Sequence, residues 1–187
     1  MRAADARTGL GVDGTGVKIG VISDGVDNRS VPASSGDLPG VEVLKPGGGD
    51  EGTAMLEIIH DLAPGASLAF YGPDNDSSAD MVAGIEALAS AGCDVIVDDL
   101  GYLDQRKFED GPIAQEARQF TVEGGVYVTA AGNSAQLHYQ APYQRDGEVT
   151  VTISGTTYSY YAHDYGGGDI ENGLLVPDGG TVVAVLQ

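Results

Sequence analysis

A chain of 187 residues with 42% apolar and 20% charged side chains has the balance of a globular protein, long enough for one good core and a smaller second piece. Its 28 acidic residues against 9 basic ones leave a formal net charge of -19, which argues against a nucleic-acid backbone or an anionic membrane as partner. The single cysteine, Cys93, excludes an internal disulfide and any multi-cysteine metal site, and its apolar neighbourhood predicts a buried thiol.

Residues 1–16 are small, polar and glycine-rich and read as an opening loop, with no apolar core of a signal peptide after Met1-Arg2. Val17 to Ile22 is a nearly all-apolar run of strand length, suited to a sheet buried on both faces, and it ends at Ser23-Asp24-Gly25. Residues 27–40 carry Pro, Ser, Gly and Asn and read as a loop, followed by a short strand from Val41 to Leu44. Three glycines, Gly47 to Gly49, then deliver the acidic pair Asp50-Glu51 to the start of a helix. In that helix Ala54, Met55, Ile58, Ile59 and Leu62 recur at helical spacing until Pro64-Gly65 stops it. A carboxylate in its first turn suits the positive end of the helix dipole, so a plain capping acid explains the pair as well.

Ser67 to Tyr71 is strand-like, and Met81, Ile85, Leu88 and Ala89 mark the apolar face of a helix that ends near Gly92. Val95 to Val97 is a buried strand running into Asp98-Asp99-Leu100-Gly101. Pro112 opens a further helix with Ile113, Ala117 and Phe120 inward, and Val126 to Thr129 is a strand leading to Ala130-Ala131-Gly132-Asn133. Strand and helix alternate with short loops, which predicts an α/β fold: a parallel sheet with helices on both faces. Asp24, Asp99 and Asn133 all follow strand carboxyl ends, and that shared edge is the expected site. From Gly147 the texture changes to alternating runs at 148–153 and 156–161, with a later strand from Thr181 to Leu186. This divides the chain into a domain over 1–146 and part of an antiparallel β insertion over 147–187.

The series GTGVKIGVISDG, EGTA opening a helix that closes with APGA, DVIVDDLGY and VYVTAAGN resembles the subtilisin-like serine peptidase superfamily in order and spacing over about residues 9–135. The resemblance implies a serine-type endopeptidase that hydrolyses a polypeptide substrate through an acyl-enzyme, and an extracellular or secreted location. It makes Asn133 the donor to the oxyanion and sets Leu100, Gly101, Ala131 and Gly132 around the substrate. Glu51 stands where such an enzyme has its catalytic histidine, which resembles the sedolisin branch, where a glutamate is the base. Asp24 is the expected partner of Glu51, with Asp50 and Asp99 as alternatives, because the order Ser-Asp-Gly departs by one residue from the family's Asp-hydroxyl-Gly. A glutamate is a weak base for a serine hydroxyl near neutrality, and a second carboxylate beside it strengthens it by repulsion, which implies activity on the acid side of neutral.

No Gly-Thr-Ser segment follows Asn133, so the nucleophile is expected to lie beyond Gln187 and the chain alone to be inactive. Ser154-Gly155-Thr156-Thr157 is the nearest match but sits between alternating β runs rather than before a helix. Three scattered histidines give no zinc spacing, and no cofactor is implied. Loop acids such as Asp74 and Asp76 offer at most a weak structural calcium site. The rival reading is a pseudo-peptidase or binding module that keeps this fold without catalysis. A nucleotide-binding domain is disfavoured, since no phosphate loop follows the first strand.

Overall fold

The structure is a computed structural model that describes residues 2–38, 40–74, 77–102, 105, 109–133 and 141–170. The expected strand from Thr181 to Leu186 and the acid Asp76 lie outside the described residues. The chain divides into two compact units, Met1–Asn133 and Ser134–Leu186.

The first unit runs α1 (Ala3–Leu10), β1 (Lys18–Ile22), α2 (Ser30–Ser35), β2 (Val41–Pro46), α3 (Glu51–Leu62), β3 (Ser67–Gly72), α4 (Ser78–Ser90), β4 (Val95–Asp98), α5 (Pro112–Val122) and β5 (Val126–Thr129). Its five strands form one sheet in the order β2-β3-β1-β4-β5, and every neighbouring pair is parallel. The α/β architecture expected from the alternation is therefore present. Val21 and Ile22 on the central β1 are fully buried, since the strand has a neighbour on each side and helices above and below.

Side chains alternate across the sheet and divide the core in two. Val21, Leu68 and Phe70 pack with Leu56 of α3, whereas Ile22, Ala69 and Ile96 pack with Met81, Ile85 and Leu88 of α4 and Phe120 of α5. Each large apolar side chain so buried contributes roughly 1.5–3 kcal/mol. The α3 and α5 crossovers each step one strand in the same direction across the sheet, yet the two helices cover opposite faces. They therefore have opposite hands, so one departs from the strong right-handed preference of parallel connections. The consequence for function is spatial: α3 rises on one face of the carboxyl edge, and α4 and α5 stand on the other.

Two loops expected from glycine and proline content contain short helices. In α1, Gly11 adopts a left-handed φ of 68° and its N–H bonds the Arg7 carbonyl at 2.9 Å, so the glycine that suggested a loop is a helix stop. The Arg7 guanidinium then donates to the Asp61 and Leu62 carbonyls at 2.9 and 3.0 Å, satisfying orphan acceptors at the end of α3. In α2 the six residues Ser30–Ser35 close on Gly36, with Pro32 buried. Both helices are too short to stand on propensity and are held by the contacts they make.

In the second unit β6 (Arg145–Ile153) and β7 (Thr156–His163) form an antiparallel hairpin, as the alternation predicts. Ser154 and Gly155 have φ of 50° and 82° at its turn, the left-handed pair a two-residue hairpin loop demands. Ser154 is thus a turn residue, not a serine at a helix start.

Candidate functional site at the carboxyl edge of the sheet

The residue after the Ile22-Ser23 pair determines how β1 leaves the sheet. Asp24 is half-buried, and its Oδ1 accepts the Gly25 N–H at 2.5 Å, the Glu51 N–H at 2.9 Å and the Gly52 N–H at 3.3 Å. The strand-end acid therefore holds the first turn of α3, where unpaired amides and the positive end of the dipole favour a carboxylate. The main chains are joined as well: Gly48 N–H bonds the Asp24 carbonyl at 2.9 Å, Asp27 N–H the Gly49 carbonyl at 2.9 Å, and Val26 N–H the Pro46 carbonyl at 3.2 Å. Such close approach needs glycine at Gly47, where a Cβ would lie 2.1 Å from the Asp24 carbonyl oxygen.

Asp24, Glu51 and their surroundings are thus brought to one corner. Glu51 is exposed at the head of α3, and the bond from Asp24 reaches its backbone amide. Of the alternative partners, Asp50 is engaged elsewhere: it accepts from Asn28 N–H at 2.9 Å, Asn28 Nδ2 at 3.1 Å and Thr53 Oγ1 at 2.7 Å. The Thr53 bond first, then the Asn28 bonds, hold its carboxyl below the usual range. Asp99 is half-buried after β4, with Oδ1 shielded from water and unpartnered among the described residues. Gly101, Ala131, Gly132 and Asn133 are exposed, and Leu100 is half-buried. No described contact joins Asn133 to Asp24 or Glu51. Ser23 is fully buried and is not an accessible hydroxyl, and the half-buried His60 lies nine positions beyond Glu51 on α3.

A hollow of about 320 Å³ beside Asp24 is lined by Lys45, Gly48, Pro73 and Asp74. Lys45 Nζ lies 2.5 Å from Asp80 and 3.1 Å from Asp74, so the only acid of the calcium pair that is described already faces a cation. Among the described residues no group of three or more His, Cys, Asp or Glu is placed to hold a metal. Burial works to raise the Asp80 carboxyl, but bonds from Lys45, the Asp74 amide and the Tyr71 hydroxyl outweigh it and leave it below the usual range. A carboxyl so depressed contributes stability above its ordinary value near about 4, and that contribution is lost as pH falls through the depressed native value. Lys45→Met is therefore expected to lower the melting midpoint at neutral pH, with the gap to the parent closing below about pH 4. Thermal melts across that range check this, and a gap constant with pH would refute it.

On the opposite face, sequence reasoning missed a second constellation. Asp98, not Asp99, is the buried acid of the pair, 4% exposed, and it accepts from Thr129 Oγ1 at 2.8 Å. The register pairs Ile96 with Tyr127 and Asp98 with Thr129, so all four side chains share the α4–α5 face. Burial, first, and the neighbouring Asp99 charge push the Asp98 carboxyl up, against the hydroxyls of Tyr127 and Thr129, which favour its ionised form. The Tyr127 hydroxyl is turned toward the same carboxyl and shielded from water, though among the described residues no partner meets hydrogen-bonding distance and angle. These groups floor a cavity of about 420 Å³ walled by Met81, Leu100, Tyr102, Ile113 and Ala117. The signal available in the sequence was the pair of polar ends, Asp98 and Thr129, each two residues after Ile96 and Tyr127. Cys93 is buried as expected, which pushes its thiol up to about 11.

The chain matches no protein-family model and no curated protein.

Proposed function

We propose that this chain belongs to the catalytic domain of a serine-type endopeptidase that cleaves peptide bonds through an acyl-enzyme. Glu51 is the general base, Asp24 its positioning acid and Asn133 the donor to the oxyanion, with Leu100, Gly101, Ala131 and Gly132 flanking the substrate. The serine comes from outside residues 1–187. The observation that carries the reading is the 2.9 Å bond from the Glu51 amide to Asp24, which ties the strand-end acid to the residue that replaces the family's histidine. A base must be held in place before its basicity matters, and this bond fixes the turn that bears Glu51.

The same bond favours a second reading, a binding module without catalysis, because an acid that accepts three backbone amides also serves as a plain helix cap. Peptide hydrolysis by the complete gene product separates the two. With a mixed fluorogenic peptide set between about pH 3 and 8, Glu51→Gln is expected to lower the rate about a hundredfold or more, and residues 1–187 alone to be inactive. Equal rates for the parent and the variant would remove Glu51 from the mechanism. Hydrolysis by residues 1–187 would refute the external serine.

A further inference from the structure

An aspartate at the N-cap of a helix ordinarily accepts amides of the first turn with its own side chain. Asp50 stands at that position of α3 and makes no such bond, because Asp24 at the end of β1 already holds the Glu51 and Gly52 amides. Its carboxylate faces the segment that leaves β1 instead. Oδ1 accepts the Asn28 N–H at 2.9 Å and the Thr53 hydroxyl at 2.7 Å, and Oδ2 accepts Asn28 Nδ2 at 3.1 Å. Thr53 is buried, so Asp50 rests on a hydroxyl that packing already holds. A plain cap accounts for Asp24 but not for these three bonds. The two segments are joined just before them as well, where Asp27 Oδ2 accepts the Gly49 N–H at 3.1 Å. Beneath the turn there is no slack: a Cβ at Gly52 would lie 2.6 Å from the Gly25 carbonyl oxygen and closer still to the Phe70 ring. Glu51 lies between these anchors with its side chain exposed and, among the described residues, no bond to its carboxylate. The backbone beneath it therefore sets where that carboxylate stands.

We propose that Asp50 is a positioning residue for the Glu51 carboxylate: with Asn28 as its anchor it latches the head of α3 to the chain leaving β1, so that the carboxylate is delivered at one fixed angle. The inference rests on the peptidase reading, in which Glu51 is the base. Asp24 holds the amides of residues 51 and 52 through a single oxygen, which leaves the turn one pivot about which to rock. The bonds from Asp50 to Asn28 and Thr53 add a second point of attachment and stop that motion. Misplacing a reacting group by about 1 Å costs up to about a hundredfold in rate, so a latch of this kind acts on turnover rather than on substrate affinity.

Steady-state hydrolysis by the complete gene product, with the fluorogenic peptide that the parent cleaves fastest, tests it. Asp50→Ala is expected to lower kcat about tenfold and leave KM within about twofold. Asn28→Ala removes one of the three bonds and is expected to lower kcat about threefold, with the double variant no slower than Asp50→Ala alone. Asp50→Asn keeps the oxygen that accepts from the Asn28 amide and Thr53, so it is expected to recover all but about threefold of the loss. If the charge of Asp50 mattered instead, the asparagine would be as slow as the alanine. In a Glu51→Gln background Asp50→Ala is expected to cause no further loss. Asn28→Ala leaves α3 untouched and carries the test in both backgrounds if Asp50→Ala does not fold. Parent-like kcat in these alanine variants, an asparagine variant as slow as the alanine one, or a further loss once Glu51 is gone would overturn the proposal and leave the peptidase reading standing. A Glu51→Gln variant as fast as the parent, or no hydrolysis by the parent, would overturn both.

Discussion

Replacing Gly47 with alanine is expected to destabilise the chain by about 3 kcal/mol or more, whereas the same change at the adjacent Gly48 stays within about 1 kcal/mol. Gly47 has φ of 67°, a left-handed conformation that costs a residue with a Cβ about 1–2 kcal/mol by itself. The added carbon would also stand 2.1 Å from the Asp24 carbonyl oxygen and 3.0 Å from the Gly72 Cα, both backbone atoms that cannot swing aside as a side chain can. Gly48 has open space at the corresponding position and keeps its N–H to the Asp24 carbonyl after substitution. Urea unfolding of the two variants measures the difference. Coincident midpoints would mean that the glycine loop is not clamped against β1 as described.

Removal of the Asp24 side chain is the second large effect. Asp24→Ala is expected to cost about 2–4 kcal/mol, because the Gly25, Glu51 and Gly52 amides lose a charged acceptor at once. Asp24→Asn retains an oxygen for them and forfeits the charge at the head of α3, so about 1 kcal/mol is expected. Amide hydrogen exchange localises the effect: the Glu51 and Gly52 amides should exchange faster in the alanine variant, while those of α4 keep their order relative to global unfolding. Unchanged protection at Glu51 and Gly52 would show that another group caps the helix. In the peptidase reading this result also defines what Asp24 does, since an acid that holds the first turn of α3 determines where Glu51 is presented.

Much of this fold follows from local pattern. The apolar run from Val17 to Ile22, the shorter ones at 67–71, 95–97 and 126–129, and the helical spacing of Met55, Ile59 and Leu62 mark strands and helices that the structure contains. Parallel pairing follows from their alternation, because a helix between two strands returns the chain to the same end of the sheet. That Asp24, Asp99 and Asn133 belong to one edge is a consequence of the same rule.

What the chain's sequence by itself determined, then, is the order of elements, their parallel pairing and the edge at which its polar strand ends collect. Only tertiary structure decided which face each helix covers and what each acid touches. A strand buried on both sides, such as Val-Ile-Val-Asp at 95–98, has no polar alternation to say which way Asp98 or Asp99 turns; the register against Tyr127 and Thr129 decides it. The short helices α1 and α2 were hidden for a related reason, since their stability rests on contacts distant in sequence, such as Arg7 against the end of α3. Asp24 likewise reads as a turn residue or a catalytic acid until the glycine loop is folded against it. Its identity as the anchor of α3 comes from amides 25, 51 and 52, two of them some 27 positions away, a proximity that no local pattern encodes.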